Sequence, residues 1–422
     1  MERLIIFLYG LLGSIVVWPL SLFLRRHPNF RGTLLQRLGL SLPDIPAGRR
    51  VLWVHAASVG EVKAVAGLVS AVRDHSPDMF VCMSCMTATG RKVAAQTRGI
   101  DLVFPVPFDV PWAMRRHVLR IMPVAVLIVE TEIWPAMILS ARRLSIPVVF
   151  VNARMSARAH ERYVKLAGVF GQLLAGVKVL AMAGDDAQRF RGIGARDVQV
   201  LGNLKLDLVA SGDKALSEAL LRELGIKDRP VFIAGSVREG EEQPVVDAII
   251  RITTRIPDLY SIIAPRHPDR VQYIADMAAG LGIRWGLRSS GATGQAGIDL
   301  LIVDTMGELF TLYGISDAAF VGGSLLDLGG QNILEPIAWG VPTLHGQSMG
   351  NFVWALDAVK GLTTTVKDAR GLADAVIAML MDQKASRARG LEAREALRSS
   401  RGVTERYLHA LEPYLGRTSS IQ

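Results

Sequence analysis

Acidic side chains in the N-terminal half of the chain follow two apolar runs that resemble β-strands. Glu61 ends the segment HAASVGE and is expected in the first turn of a helix, with Gly60 allowing close backbone approach. A glutamate there also complements the helix dipole, so spacing alone leaves a purely structural role open. The segment ETEIWP delivers Glu130 and Glu132 at the end of another run. Ionised carboxylates at such a place cost desolvation energy unless a partner or substrate compensates, which makes both functional-site candidates.

Two details of these segments stay open. Strand alternation would point Glu130 and Glu132 to one side, unless Pro135 starts a helix and ends the pattern. Lys205, in the segment GNLKLD after the last predicted strand of the same half, is one of only ten lysines against 38 arginines in the chain. Its position favours a functional role, although simple surface solvation is the alternative.

Polar segments follow strand-like runs in the C-terminal half, and two of them are rich in glycine. The four segments are Ala234–Glu242, Ala264–Arg270, Val303–Leu309 and Gly322–Pro336. Backbone amides before a helix suit a phosphate, Arg266 can pair with one, and Glu335 can accept bonds from ribose hydroxyls. Four such segments at successive strand ends predict a nucleotide site.

Several common chemistries lack their sequence signature. The chain has no G-x-x-x-x-G-K-[ST] and no G-x-G-x-x-G opening a helix after a first strand, which disfavours kinases, ATPases and plain dehydrogenases. No Asp-x-Asp pair or His/Cys/Glu cluster has metal-ligand spacing, and Cys82 and Cys85 read as structural residues in an apolar run. The residues therefore predict a metal-free reaction on a nucleotide-activated substrate.

The elements that must position these residues alternate as in parallel sheets covered by helices. Strands are predicted at Val51–Ala56, Phe80–Ser84, Leu102–Val106, Val124–Val129, Pro147–Asn152, Val179–Ala183, Val198–Leu201, Val231–Ala234, Tyr260–Ala264, Leu300–Val303, Ala318–Val321 and Pro342–Leu344. A polar stretch near residue 210 separates two halves, and a final helical stretch covers Ala385–Leu411. The fold class is thus α/β, with two Rossmann-like doubly wound domains facing a cleft.

An apolar segment precedes these domains. Leu4 to Leu24 carries no charge, and 21 residues make a helix of roughly 31 Å, about the thickness of a hydrocarbon core. Because Arg25 and Arg26 follow it, the positive-inside rule places the rest of the chain in the cytoplasm, and cleavage as a signal peptide is disfavoured. Gly10, Pro19 and other interruptions leave a helix lying in one leaflet as the competitor to a full span. The predicted domains are 1–30 (anchor and basic flank), 31–210 and 211–422, and packing of the last helix back on the 31–210 domain is left open.

Length and composition agree with this organisation. With 422 residues, 50% hydrophobic and 21% charged, the chain is neither a small module nor disordered. The net charge of +9 predicts an acidic partner, and residues 1–50 hold +5 of it, as seven arginines against Glu2 and Asp44. Aromatic residues make up only 6%, and no stacking motif is visible. The excess charge therefore favours membrane phosphates or a phosphorylated lipid over nucleic acid.

The motifs occur in a specific order from the apolar segment to about residue 355. They are Ser58–Glu61, Met86–Gly90, Glu130–Pro135, Asn152–Ser156, Gly202–Lys205, Gly235–Ser236, Pro265–Pro268, Met306–Leu309 and Gly329–Glu335. This set resembles the 3-deoxy-D-manno-octulosonic acid (Kdo) transferases of lipopolysaccharide synthesis, which are inverting glycosyltransferases of the GT-B type. One departure is Val237-Arg238, where that family more often has Thr-His.

The resemblance implies a role for each matching residue. Glu61 would be the general base, and Glu130 and Lys205 would assist the transition state. The resemblance assigns the CMP or donor side to Gly235, Ser236, Pro265, Arg266, Met306, Gly307, Glu308, Asn332, Ile333, Leu334 and Glu335. It assigns the acceptor side to Ser58, Gly60, Thr87, Thr89, Gly90 and Glu132.

The resemblance also implies substrates and location. The donor would be CMP-Kdo and the acceptor the tetraacyl-disaccharide bisphosphate precursor of lipid A, without metal or other cofactor, at the cytoplasmic face of the inner membrane. Anionic lipid would be a partner and nucleic acid would not. The number of Kdo residues, the linkage and the oligomeric state stay open. The rival functions are another GT-B nucleotide-sugar transferase or epimerase, and a membrane-tethered nucleotide- or nucleic-acid-binding protein without catalysis.

Overall fold

The computed structural model describes residues 2–208, 214–226, 228–291, 297–359 and 361–416. The chain forms two α/β units, one made of residues 1–208 and 402–422 and the other of residues 209–401. The structure thus places the division at 208/209, beside the predicted 210/211. The segment from Gly402 onward lies in the first unit, the alternative that the sequence left open for the last helix.

The first unit contains one sheet and the helices that cover it. Its strands are β1 (Val51–His55), β2 (Phe80–Cys85), β3 (Leu102–Pro105), β4 (Ala125–Val129), β5 (Val148–Ala153), β6 (Lys178–Ala181) and β7 (Asp197–Val200). Its helices are α1 (Glu2–Leu24), α2 (Leu34–Arg37), α3 (Val59–His75), α4 (Ala88–Ala95), α5 (Pro111–Ile121), α6 (Pro135–Arg143), α7 (Ala157–Tyr163), α8 (Ala167–Leu173), α9 (Gly184–Gly192) and α18 (Val403–Leu415).

The second unit repeats this organisation. Its strands are β8 (Val231–Val237), β9 (Tyr260–Pro265), β10 (Trp285–Leu287), β11 (Leu300–Ile302), β12 (Ala318–Val321), β13 (Thr343–His345) and β14 (Thr364–Thr365). Its helices are α10 (Lys214–Leu224), α11 (Glu242–Arg255), α12 (Val271–Gly280), α13 (Leu309–Tyr313), α14 (Leu334–Trp339), α15 (Val353–Ala358), α16 (Ala369–Met381) and α17 (Gln383–Ser399).

Both sheets are parallel and doubly wound, which confirms the predicted α/β class. In the described residues, the strand orders are β3-β2-β1-β4-β5-β6-β7 and β10-β11-β9-β8-β12-β13-β14. Strands β1 and β4 are buried along their whole length, because helices cover both faces of a parallel sheet and only continuous apolar runs satisfy both. The strand order reverses direction between β1 and β4, and again between β8 and β12. Ligands of doubly wound sheets bind outside the carboxyl ends of strands at such switch points.

Every predicted strand is present, with ends shifted by at most three residues. The sequence missed β10 and β14, which have only three and two residues and lack an apolar run long enough to stand out. The predicted final helix is in fact two helices, because Gly402 adopts a left-handed conformation between α17 and α18. Asp207 accepts hydrogen bonds from the N–H groups of Gly402 (2.9 Å) and Thr404 (2.6 Å), which holds the start of α18 on the first unit.

Helix α1 packs along the first unit through one of its faces. The Tyr9 hydroxyl donates to Asp109 Oδ2 (2.8 Å), Val17 is buried beside Val110 of the same apolar cluster, and the Trp18 and Trp112 rings stack with centroids 5.7 Å apart. The opposite face is apolar and exposed, with Phe23 82% accessible. Within the described chain, Leu4–Leu24 is the helical segment long and apolar enough to cross a membrane. Such a segment is weak evidence for membrane attachment. Because one face of α1 is packed, the helix lies against the first unit.

Candidate active site

Glu61 lies at the carboxyl end of β1, on the switch-point edge of the first sheet. Ser58 begins α3 as its N-cap, and the Ser58 hydroxyl donates to Glu61 Oε1 (3.0 Å). The Ala57 N–H donates to Glu61 Oε2 (2.7 Å), in a variant of the capping box that fixes the carboxyl over the start of the helix. The side chain therefore has the structural role that its position predicted, and its orientation is fixed as well.

The Glu61 carboxyl has a pKa close to neutral pH. Burial raises the pKa of its carboxyl to about 7, against the lowering effect of the Ala57 and Ser58 hydrogen bonds. The negative charges of Glu130 and Glu132 add to the increase in pKa. These charges act on Glu61 because the end of β4 lies beside the end of β1 in the sheet. A carboxyl with a pKa near 7 is suited to exchange protons at physiological pH.

Glu130 is held in a strained backbone conformation directly after β4. Its φ is +61°, in the left-handed region that a non-glycine residue rarely adopts and that costs about 1–3 kcal/mol. Lys205 Nζ contacts Glu130 Oε1 at 3.1 Å. Lys205 is positioned by Asn152, at φ +53° in β5, whose side chain accepts the Leu204 N–H (2.9 Å). The structure thus brings together two candidate residues that are far apart in the sequence.

Glu132 has different neighbours from Glu130. The Trp134 indole N–H donates to Glu132 Oε2 (3.0 Å), and His55 Nε2 lies 3.8 Å from the same oxygen. The His55 imidazole and the Trp134 N–H hold the pKa of the Glu132 carboxyl below its usual range. Strand alternation does not apply to this pair, because β4 ends at Val129 and α6 begins at Pro135. Glu132 is therefore an ionised neighbour of Glu61, and the two carboxyls differ in acidity as acid–base partners do.

The remaining acceptor-side residues lie around the starts of α3 and α4. Thr87 is the N-cap of α4 and accepts the Gly90 N–H (3.0 Å), whereas Thr89 is exposed. A Cβ atom on Gly90 would lie 2.8 Å from Thr87 Oγ1, so a glycine is needed there. A Cβ atom on Gly60 would meet only Ser58 Oγ, at 3.8 Å, and this unit gives no packing reason for that glycine. A role of these residues towards an acceptor stays a prediction.

In the second unit, Gly235 and Ser236 lie close to the carboxyl end of β8, where the backbone is closely packed. A Cβ atom on Gly235 would lie 2.0 Å from the hydroxyl of the buried Tyr313, so only glycine fits. Ser236 has φ +56° at an irregularity between β8 and β9. A Cβ atom on Gly322, after the neighbouring β12, would lie 2.6 Å from the Ser236 carbonyl oxygen. At the switch point of the second sheet, the backbone segments after β8 and β12 therefore pack directly against each other.

Glu241 organises this edge and was not singled out from the sequence. It is fully buried and accepts N–H groups of Arg238 (3.0 Å) and of three consecutive residues, Gly323 (2.5 Å), Ser324 (2.8 Å) and Leu325 (2.8 Å). One carboxylate thus holds the loops after β8 and β12 together. The available signal was the run of three glutamates within four residues, directly before an apolar helix.

Arg266 and the segment around Met306 present the exposed groups of this edge. Arg266 follows β9, is exposed, and makes no side-chain hydrogen bond or ion pair with the part of the chain that the structure describes. Met306 is 77% exposed, and Gly307 has φ +93°. Glu308 pairs with Arg288 (2.9 Å). Burial alone would raise its pKa, but the hydrogen bonds from Thr305 and Arg288 outweigh that effect and lower it.

The segment from Asn332 to Glu335 divides into two kinds of residue. The Asn332 amide donates to Glu335 Oε1 (2.9 Å), and burial raises the pKa of the Glu335 carboxyl. Ile333 and Leu334 are buried in the unit, so they can reach a ligand only through their backbone. Helix α14, which starts here, has only six residues.

Neither a metal cluster nor a reactive cysteine is found in the described ranges. No group of three or more His, Cys, Asp or Glu side chains there could hold a metal ion. Cys82 and Cys85 are buried free thiols, and burial raises the pKa of Cys85 to about 12. Both cysteines are packing residues, as expected.

Two parallel, doubly wound sheets with polar loops at their switch points define a fold of the GT-B type. The fold is similar to that of a glycosyltransferase from Rickettsia africae, with a TM-score of 0.60 and 14% identity over 88% of this chain and 100% of that one. A family model described as 3-deoxy-D-manno-octulosonic-acid transferase (kdotransferase) matches residues 33–208.

The sequence comparisons are more specific. The chain is 32% identical to a 3-deoxy-D-manno-octulosonic acid transferase of Haemophilus influenzae, over 93% of each protein. It is 35% identical to that of Bordetella pertussis, over 86% of this chain and 87% of the other. The chain belongs to the Kdo transferase family, the glycosyltransferases that add Kdo in lipopolysaccharide biosynthesis.

Proposed function

We propose that this chain transfers Kdo from CMP-Kdo to a hydroxyl of the tetraacyl-disaccharide bisphosphate precursor of lipid A, with Glu61 as general base. The observation that carries the proposal is the buried Glu61 carboxyl at a switch point, with its pKa raised to about 7. Family membership supports Kdo as the transferred sugar, and the position of Glu61 supports its role as the proton acceptor.

In the proposed mechanism, Glu61 removes the proton of the acceptor hydroxyl as its oxygen attacks the anomeric carbon of Kdo. The bond from that carbon to the phosphate oxygen breaks, CMP leaves with the electron pair, and the configuration inverts. Carboxylates near the reacting carbon stabilise an oxocarbenium-like transition state. Glu130 and Lys205, whose side chains lie 3.1 Å apart, are the proposed assisting residues. Arg266 and the backbone around Gly235 and Ser236 would neutralise the single phosphate of CMP without a metal.

The donor assignment predicts nucleotide selectivity. CMP should bind to the purified protein with a measurable heat, in EDTA as well as in buffer, and UDP should not. Isothermal titration with both nucleotides checks this. Heat with uridine nucleotides alone would instead support the rival GT-B transferase or epimerase, and turnover that EDTA abolishes would refute metal independence.

The pKa of Glu61 predicts the acid limb of the pH profile. A base acts only when deprotonated, so kcat/KM should fall about tenfold per pH unit below pH 7 and level off above it. Ser58→Ala removes a hydrogen bond that lowers the pKa of Glu61, so its acid limb should move to higher pH. An acid limb that Ser58→Ala leaves in place would assign it to another group.

We propose further that α1 lies in one leaflet at the cytoplasmic face of the inner membrane, because one face packs on the first unit while the other is apolar and exposed. Phe23→Glu should then lower vesicle binding by roughly tenfold. Met381→Glu is the matched control, since Met381 is 79% exposed against 82% for Phe23 but lies in the second unit. Equal vesicle binding of both variants, or an N-terminus labelled from the far side of vesicles, would contradict this placement.

A further inference from the structure

A cavity of about 550 Å³ opens in the first unit between the apolar helix and the loop after β4. Its walls include Tyr9 of α1, Glu132 and Trp134 of the loop, and Arg162 and Tyr163 of α7. This volume is in the range of small-molecule sites. Of the residues assigned to the acceptor side, Glu132 lines the cavity, and Met86, directly before Thr87, lines it as well.

The α1 wall of this cavity is connected to the loop after β4 by the half-buried carboxylate of Asp109. Asp109 accepts the Tyr9 hydroxyl (2.8 Å) and also the N–H groups of Ala136 and Met137 (3.1 Å each), which begin α6. Helix α6 follows directly on the loop that carries Glu132. The position of α1 is thereby tied to the position of Glu132, and a molecule held beside α1 is also held beside that carboxylate.

The lining groups suit a phosphorylated sugar. Trp134 and Tyr163 offer ring faces, and the Glu132 carboxylate can accept hydrogen bonds from hydroxyls. The side chain of Arg162 is exposed and makes no hydrogen bond or ion pair with any residue that the structure describes, so its guanidinium is available to a phosphate. The exposed face of α1 is apolar, and Tyr9 of the same helix lines the cavity, so a membrane-embedded acceptor can enter the cavity beside this helix.

We infer that this cavity binds the phosphorylated sugar headgroup of the membrane-embedded acceptor, with Arg162 on a phosphate and Glu132 on sugar hydroxyls. The inference rests on the proposed function and deepens it by locating the acceptor. Helix α1 is then part of the acceptor site as well as a membrane attachment. The acyl chains of the acceptor stay in the bilayer.

The first test removes the charge of Arg162. Transfer by the full-length protein to the bisphosphorylated acceptor is measured in detergent micelles, first with the acceptor varied at saturating CMP-Kdo and then with CMP-Kdo varied at a fixed acceptor concentration. Arg162→Ala should raise the KM for the bisphosphorylated acceptor roughly tenfold and leave the KM for CMP-Kdo unchanged. Arg158→Ala is the control, because Arg158 is an exposed arginine of the same helix that does not line the cavity. An acceptor KM that changes equally in both variants, or in neither, overturns the inference.

The second test fills the cavity. Ala159→Trp puts an indole into the space beside Arg162, whereas Ala157→Trp adds the same side chain at an exposed position of the same helix outside the cavity. Ala159→Trp should lose transfer activity, although its thermal midpoint should equal that of Ala157→Trp. If both variants transfer Kdo as the wild type does, the inference is overturned. If Ala159→Trp unfolds, Arg162→Ala decides. Failure of the wild type to transfer Kdo would instead refute the proposed function itself.

Discussion

Glu61→Gln is expected to lower kcat for Kdo transfer by roughly three orders of magnitude, because an amide cannot accept the proton of the acceptor hydroxyl. The amide oxygen can still accept the Ala57 N–H, so the start of α3 should stay folded. CMP affinity should be unchanged, because the residues assigned to CMP belong to the second unit. Steady-state kinetics and calorimetry on the purified variant measure both effects.

The control for this variant separates catalysis from helix capping. Glu405→Gln removes an exposed carboxylate from the first turn of α18 in the same unit, where it complements the helix dipole as Glu61 does. Its kcat should stay within about twofold of wild type, because a first-turn charge at the surface contributes at most about 1 kcal/mol to stability. Full activity of Glu61→Gln would refute the assignment of the base.

Glu241→Ala is expected to have the second large effect, on the donor side. Four backbone N–H groups lose their acceptor, and each buried N–H left unpaired costs about 1–3 kcal/mol. The loops after β8 and β12 should separate, so that CMP affinity falls at least tenfold and the thermal midpoint drops. Glu392→Ala, at an exposed position of α17 in the same unit, should change neither quantity.

The Glu241 prediction is checked by calorimetry with CMP and by thermal unfolding of both variants. The CMP affinity and thermal midpoint of Glu241→Gln should lie between those of the wild type and Glu241→Ala. The glutamine amide keeps one oxygen acceptor, but its NH₂ group faces backbone N–H groups that also donate. Wild-type CMP affinity and stability in Glu241→Ala would mean that this carboxylate does not organise the donor edge.

Much of the fold was readable because both sheets are parallel. Strands covered on both faces must be continuous apolar runs, and runs such as VLWVH and AVLIV carry that requirement in the sequence. The sequence allowed the last helix to pack back on the first domain, but not the contact that holds it there. Gly402 breaks a helical pattern, and Asp207, far away in sequence, accepts the N–H groups of Gly402 and Thr404.

The candidate site was readable in outline for a similar reason. Polar residues that end buried strands meet at one edge of a parallel sheet, and this logic placed Glu61 beside Glu130 and Glu132. What it missed are the left-handed conformations at Glu130, Asn152 and Ser236, because non-glycine residues give no sign of positive φ. The Lys205–Glu130 contact was missed as a pair, since it joins side chains 75 residues apart.

The central claim is that this chain moves Kdo from CMP-Kdo to the lipid A precursor. Mass spectrometry of the products formed by the purified full-length protein, CMP-Kdo and the tetraacyl-disaccharide bisphosphate tests it most directly. The predicted result is an acceptor that has gained Kdo, formed in the presence of EDTA and absent with Glu61→Gln. An unmodified acceptor, under conditions in which the Haemophilus influenzae transferase yields the Kdo-bearing product, would contradict the claim.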